Sequence, residues 1–376
     1  MRYRLDLSVP PPAEAPALDS SQQAVVEHMG GPLLVLAGPG TGKTTAIVES
    51  VVARCTEGIS PTEVLVLTFG RKAATEVRDR IAARIGGGLQ PQVATFHSFA
   101  LSLVRAALPE AEIPRLLSGA EEDARIREIV LGAADDASVV WPEELLGAVG
   151  TFGLASEVRT FISRMREWGI SPQRLRALAR EENRPAWKAI ADIAEIDARV
   201  MLLENVQDYT ELLRTAVELA EADPGKFRHR YQAIYVDEFQ DTDPLQIRLL
   251  HSLVVPTTTL VAVGDPDQAI YGFRGADIRG IAEFPEAFRT AHGQDAPIIV
   301  LGTSRRFGPR TRAAATSVLP RGGLRAIPSD VLTRHRSPES TRLEAGDRIK
   351  IERFDSDSSC HEHVAEEIRA AHVIDG

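Results

Sequence analysis

The chain has 376 residues, enough at roughly 150 residues per domain for about two to three domains with a sizeable core. Hydrophobic residues make up 44% and charged residues 26%, which excludes wholesale disorder. The 43 Lys and Arg against 53 Asp and Glu give a net charge of −10, so a generally basic nucleic-acid coat is excluded, whereas one local basic groove is not.

The two cysteines, Cys55 and Cys360, cannot build a disulfide framework or a four-thiolate zinc site. They read as small apolar fillers. Residues 1–17 form a Pro/Ala-rich lead-in without the apolar core of a signal peptide. No apolar run approaches about 18 residues, so no membrane partner is expected and a reduced, cytoplasmic protein is. Lysine occurs only five times, at 43, 72, 188, 226 and 350, so each is more informative than usual.

In chain order, Asp19 or Ser20 opens a helix, and the apolar run Leu33–Ala37 reads as a buried strand. A Gly-rich turn and a helix ending near Gly58 follow. A second strand, Val64–Thr68, leads into a helix over Lys72–Ile85, and a third, Gln92–Thr95, leads into Phe99–Ala107. Strand–helix alternation is the signature of a parallel α/β sheet. From 108 to 228 the pattern becomes helical, with capping-box spacing at Ser118–Glu121. Strands resume at Ala233–Asp237, Leu260–Gly264, Ile298–Leu301 and Ile349–Phe354, and a last helix covers His361–His372. The fold class expected is therefore an α/β parallel-sheet domain interrupted by an all-helical insertion, followed by the start of a further domain.

Ala37–Thr44, reading AGPGTGKT, lies between a buried strand and a helix start, the context of a P-loop. Gly38, Pro39, Gly40, Thr41 and Gly42 let backbone N–H groups cradle phosphate oxygens, and the helix N-terminus adds its dipole. Lys43 reaches the β- and γ-phosphates and the Thr44 hydroxyl is a Mg²⁺ ligand. Ala37 stands where the strict pattern has Gly. The strand Ile234–Val236 ends in Asp237 and Glu238, which places two carboxylates at its C-terminal edge. Asp237 would hold Mg²⁺, and Glu238 would orient or deprotonate the attacking water.

In this combination the chain resembles the UvrD/PcrA/Rep group of superfamily 1A DNA helicases and their RecB-like and AdnA/AdnB-like relatives. The match runs over residues 18–306. Leu18–Gln22 resembles the Q motif, which implies that Gln22 reads the adenine edge. Val66–Ala74 resembles motif Ia, Ala94–Phe99 motif Ib, Asp237–Gln246 motif II and Val263–Asp277 motif III. The resemblance implies ATP and Mg²⁺ as cofactors and single-stranded or duplex DNA as partner. It also implies 3′ to 5′ movement in repair or recombination.

Gln268 suits a γ-phosphate sensor, because an amide both donates and accepts. Tyr271 and Phe273 offer flat faces on which bases stack. Thr68, Phe69, Arg71, Thr95, His97, Phe99 and Arg274 complete the candidate DNA contacts. His97 reads as a structural or DNA-backbone residue rather than a base, and Trp168 as core of the helical segment. Thr45 replaces an Arg that in the family packs on adenine. Leu301–Arg306 aligns with motif IV, which makes Arg306 an arginine finger and puts Arg305 at the adenine-stacking position.

By the same resemblance, 18–107 and 229–294 form RecA-like domain 1A, 108–228 the helical insertion 1B, and 295–376 a truncated start of domain 2A. Motifs V and VI are absent from the sequence, so the expectation is the N-terminal part of a helicase, with a second helicase or nuclease subunit as a candidate partner. The alternative is a module that binds ATP and DNA without unwinding.

Overall fold

The apolar runs bounded by glycine and proline pair with one another. In the computed structural model, which describes residues 13–86, 88–270, 278–319, 327–341, 347 and 349–375, they form one sheet of six strands. These are β1 (Pro32–Leu36), β2 (Val64–Thr68), β3 (Gln92–Thr95), β4 (Ala233–Val236), β5 (Thr259–Gly264) and β6 (Ile298–Val300). Their order is β3-β2-β4-β5-β1-β6, and every pairing is parallel. Parallel strands covered on both faces need apolar residues at every position, and β1, β2, β4 and β5 are buried throughout.

Alternate residues feed two cores. Leu33, Val35, Val64, Val66, Tyr235 and Val263 face α2 (Lys43–Thr56) and α3 (Arg71–Ile85). Leu34, Leu36, Leu67, Ile234, Val236 and Ala262 face α4 (Phe96–Ala107) and the helices Tyr209–Ala222 and Pro244–Leu253. The first helix, α1 (Ser20–Glu27), starts at a capping box in which Asp19 accepts from the Gln22 N–H and the Gln22 amide oxygen accepts from the Asp19 N–H.

The segment after α4 is helical, with a core of its own around Ile126, Val130, Val158, Ile162, Leu175 and Ile193. Two short strands, Arg115–Leu116 and Val206–Gln207, pair in parallel at its base. Periodicity alone gave no sign of them, because each spans two residues. The helix Tyr209–Ala222 packs on the sheet: Leu212, Leu213, Ala216, Val217 and Ala220 sit in the core shared with α4.

A charge network ties the two parts together. Asp197 is fully buried and receives Arg125 Nε at 2.8 Å and Arg166 Nη2 at 2.7 Å. Arg166 Nη1 also donates to Asp208 at 2.7 Å, and Asp208 caps the helix that starts at Tyr209. Next to it Glu167 is pushed up to about 7 by burial and by the Asp243 charge, against the pull of Arg164. A carboxyl raised in the folded state favours the protonated form, so its contribution is complete below the ordinary 4.5 and is lost as pH rises through about 7. Glu167→Gln should therefore gain stability over wild type between pH 5 and 8, by at most about 3 kcal/mol, as measured by urea unfolding at several pH values.

Two sequence expectations change here. Ile349–Phe354 has strand alternation, yet it carries no regular secondary structure and Ile351 is 90% exposed. Alternation makes a strand only where an edge supplies hydrogen bonds, and among the described residues none pairs with it. Trp168 is not core: it is 46% exposed, with the Arg279 guanidinium 4.9 Å above its ring. No helix among the described residues is long and apolar enough to cross a membrane.

Candidate functional site

The C-terminal ends of β1, β4 and β5 lie side by side, since Leu36 pairs with Gly264 and Val236 with Ala262. Each strand hands its next residues to one place. After β1 the chain turns through Gly40 (φ 76°) and Gly42 (φ 87°), conformations that favour glycine, and enters α2 at Lys43. Thr41 closes the turn by donating its N–H and hydroxyl to the Gly38 carbonyl. Gly40 also permits a close approach: a Cβ there would lie 2.3 Å from Arg306 Cβ. Arg305 N donates to the Gly40 carbonyl at 2.8 Å and Ser304 Oγ to the Pro39 carbonyl at 3.0 Å. The stretch after β6 is therefore tied to the loop.

After β4 come Asp237 and Glu238. The Lys43 ammonium donates to Glu238 Oε2 at 2.7 Å across 195 residues of sequence. Glu238 has φ 52°, left-handed for a non-glycine residue, a strained conformation of the kind that collects at functional sites. Burial, with Glu238 beside it and Lys43 opposing, pushes Asp237 up to about 6. The same causes push Asp241 up to about 6. Asp241 Oδ1 is buried without a hydrogen-bond partner.

Sequence reasoning gave no role to Gln240 or Asp265, yet they join the parts. Gln240 Nε2 donates to Glu238 Oε2 at 2.9 Å, and its Oε1 accepts from Asp265 N at 2.9 Å. Asp265 in turn accepts from the Gln268 amide. The only local signal was their place inside motifs II and III.

At the other end of the loop, Gln22 is buried and donates to the Thr41 carbonyl at 3.1 Å. Arg305 is exposed and is held by Asp19 at 2.9 Å and by Gln22 Oε1 at 3.3 Å. Thr44, at the first turn of α2, is half-buried. The Thr45 hydroxyl is engaged by Arg80 at 2.9 Å. Arg306 is exposed beside Gly40.

The candidate DNA residues divide. Thr68 ends β2 and Phe69 follows it, Arg71 starts α3, and Thr95 and His97 lie where β3 passes into α4. Phe69 and Arg71 are exposed. The Thr95 side chain is used as the cap of α4, accepting from Ser98 N. His97 sits edge-on to Tyr209, ring centroids 5.3 Å apart, and burial pushes its imidazole below the usual range. Phe99 is corrected: it is fully buried against Tyr231 in the sheet core, so its ring is not offered to a base. Tyr271, Phe273 and Arg274 lie outside the described residues.

Comparison with known proteins shows which family the chain resembles. Residues 18–289 match the family model described as UvrD/REP helicase N-terminal domain. The chain is 31% identical over 357 residues to a probable DNA helicase II homolog of Rickettsia felis, covering 93% of this chain and 50% of the relative. It is 29% identical over 337 residues to the ATP-dependent DNA helicase UvrD1 of Mycobacterium tuberculosis, covering 83% and 41%. To the ATP-dependent DNA helicase PcrA of Staphylococcus epidermidis it is 29% identical over 282 residues, covering 73% and 36%. The chain thus spans half or less of the length of these curated relatives. With a matched segment that takes in the phosphate-type loop, the acidic strand end and the Asp265–Gln268 loop, the chain belongs to the UvrD/REP helicase family, through its N-terminal domain.

Proposed function

We propose that this chain is an ATP-hydrolysing motor segment acting on single-stranded DNA, with its nucleotide between the Gly38–Thr44 loop of a RecA-like domain and the residues after β6. The observation that carries the reading is the 2.7 Å contact between Lys43 and Glu238, with Asp237 beside it. A lone ammonium in a glycine loop, facing two acids at parallel strand ends, suits a triphosphate and an attacking water.

The loop N–H groups and the α2 N-terminus would cradle the phosphates, and Lys43 would leave Glu238 for the β- and γ-oxygens. Release of Lys43 leaves Glu238 as the acceptor for a water proton. Thr44 and Asp237 are the residues that would hold Mg²⁺, and a buried carboxyl pushed up to about 6 fits that role, since a cation beside it restores the charged form. When bound, the ion supplies charge compensation to the phosphoryl oxygens. Gln268 would sense the γ-phosphate, and Arg306 would compensate charge in the transition state. Asp237 and Glu238 thus hold separate tasks.

Gln22, with its amide fixed by Thr41 and Arg305, would read the adenine edge, and Arg305 would cover the ring. Gln22→Ala is expected to weaken ATP binding about tenfold and to relax discrimination against GTP, as read by titration calorimetry with both nucleotides.

Single-stranded DNA would cross the ends of β2 and β3, over Phe69, Arg71 and His97. The 3′ to 5′ direction and a role in repair or recombination are carried by the resemblance to the family. The sheet domain would comprise 18–107 and about 206–294, supported by the core that the helix Tyr209–Ala222 shares with α4, with the helices between as insertion and the remainder as a further domain. Anisotropy of a labelled oligo-dT tests the DNA face. Wild type should bind, its affinity should change when a non-hydrolysable ATP analogue is added, and Phe69→Ala with Arg71→Ala should weaken it at least about tenfold. Binding unchanged by both the analogue and the double substitution would remove the DNA face from the reading.

A further inference from the structure

The loop after β5 meets a neighbour that the roles above do not use. Asp265 is almost fully buried, and both its oxygens are occupied. Oδ1 accepts from Asp267 N at 3.0 Å and stands 2.9 Å from His335 Nε2. Oδ2 accepts from the Gln268 amide at 2.5 Å. Asp267 accepts twice from Arg336, from Nε at 2.8 Å and Nη2 at 2.6 Å. His335 ends the helix Ser329–His335, beyond β6 in the chain, and is itself buried. Its ring lies against the phosphate-type loop: a Cβ on Gly38 would be 4.0 Å from His335 Cε1.

These contacts continue the hydrogen bonds of the site. Lys43 meets Glu238 at 2.7 Å, Glu238 meets Gln240 at 2.9 Å, and Gln240 meets Asp265 at 2.9 Å. Asp265 then meets His335 at 2.9 Å. Burial alone would raise the Asp265 carboxyl, but the hydrogen bonds from His335 and Gln268 hold it below its ordinary value. It is therefore a charged anchor with two side-chain partners of opposite purpose: Gln268 on Oδ2, and His335 on Oδ1 beside the Asp267 N–H. The ligand atoms of Asp265, Asp267 and His335 lie within 4.8 Å of one another, close enough for a cation. The Arg336–Asp267 ion pair and the His335–Asp265 hydrogen bond already engage those carboxylates and account for the cluster.

We infer that His335 and Arg336 are positioning residues that clamp the Asp265–Gln268 loop and carry a change of partner at Lys43–Glu238 into the segment after β6. The clamp rests on the nucleotide reading above for its trigger, and on geometry alone for its existence. With Oδ1 pinned by His335, Asp265 holds Gln268 at one place beside the loop. Without the pin, Oδ1 keeps only the Asp267 N–H, and the anchor of Gln268 loosens. When Lys43 passes to phosphate, the bond between Glu238 and Gln240 is the next to change, and Gln240 touches Asp265 directly.

Hydrogen exchange on the full 376-residue chain tests this, with and without the Mg²⁺ complex of the β,γ-imido analogue of ATP. Without nucleotide, His335→Ala and Arg336→Ala should each raise amide exchange over 264–268 by about tenfold. His335→Gln, whose amide can still donate to Asp265, should restore it to within about threefold. Adding the analogue to wild type should slow exchange over 329–336, and in His335→Ala this response should vanish while the analogue still binds. Exchange over 264–268 unchanged in both alanine variants overturns the clamp whatever the nucleotide does. A response over 329–336 that survives in both overturns the transmission. Failure of wild type to bind the analogue overturns the transmission together with the nucleotide reading, and the nucleotide-free exchange tells that case from the first. Arg336→Lys, which keeps the charge and loses the paired bond, gives an intermediate value and guards against loss of folding.

Discussion

Lys43→Ala is expected to cut ATP turnover by at least about 10²–10³-fold, since it removes the ammonium that the Gly38–Thr44 loop would aim at the developing charge. The same change strips Glu238 of its 2.7 Å partner and removes the charge that opposes the upward push on Asp237 and Asp241. Binding of ATP should weaken as well, because the cradle then holds phosphate by backbone N–H groups alone. Glu238→Gln separates the two roles. The amide keeps the size of the side chain and loses the base, so binding should stay within about threefold while turnover falls by about 10²–10⁴-fold. Steady-state phosphate release beside equilibrium binding of an ATP analogue reads both. Equal losses of binding and turnover in Glu238→Gln would make Glu238 a ligand of Lys43 and nothing more.

Asp197→Ala should be the most damaging single change in the helical segment, at about 3–5 kcal/mol. Asp197 is fully buried and lies between Arg125 and Arg166, each nine-tenths buried, so its removal leaves two guanidinium groups short of a counter-charge. Arg166 would keep Asp208, and Arg125 would keep nothing of that strength among the described residues. By contrast, Arg174 and Glu181 form a solvent-exposed pair, and Arg174→Ala should cost under about 1 kcal/mol. Urea unfolding of the two variants, side by side, gives the comparison. A loss for Asp197→Ala no greater than for Arg174→Ala would mean that water reaches the network and that it does not fasten the helical segment to Asp208.

Range along the chain decides which features the sequence reveals and which it hides. The strands were legible because a parallel strand buried on both faces is apolar at each position, as in Leu33–Leu36 and Val64–Leu67. The Gly38–Thr44 loop and the Asp237–Glu238 pair were legible because each is a local pattern at the C-terminal end of an apolar strand. Ile349–Phe354 misled because alternation reports a half-buried face and says nothing about a pairing edge. Phe99 misled because motif membership does not say which side of a helix faces the sheet, and here it faces inward against Tyr231.

The links that unify the site were hidden for the same reason. Gln240 and Asp265 are 25 residues apart, and Asp265 and His335 are 70 apart. No spacing rule covers such pairs; the parallel neighbours β4 and β5 bring the first together, and the helix Ser329–His335 beyond β6 supplies the second. The strained φ of Glu238 is likewise a property of the fold, since an acid in that conformation has no sequence signature.

ATP hydrolysis by the 376-residue chain in Mg²⁺, with and without single-stranded DNA and beside Glu238→Gln, tests the motor reading most directly. Turnover should rise with DNA and be lost in the variant. Turnover of equal size in wild type and Glu238→Gln, indifferent to DNA, would contradict it.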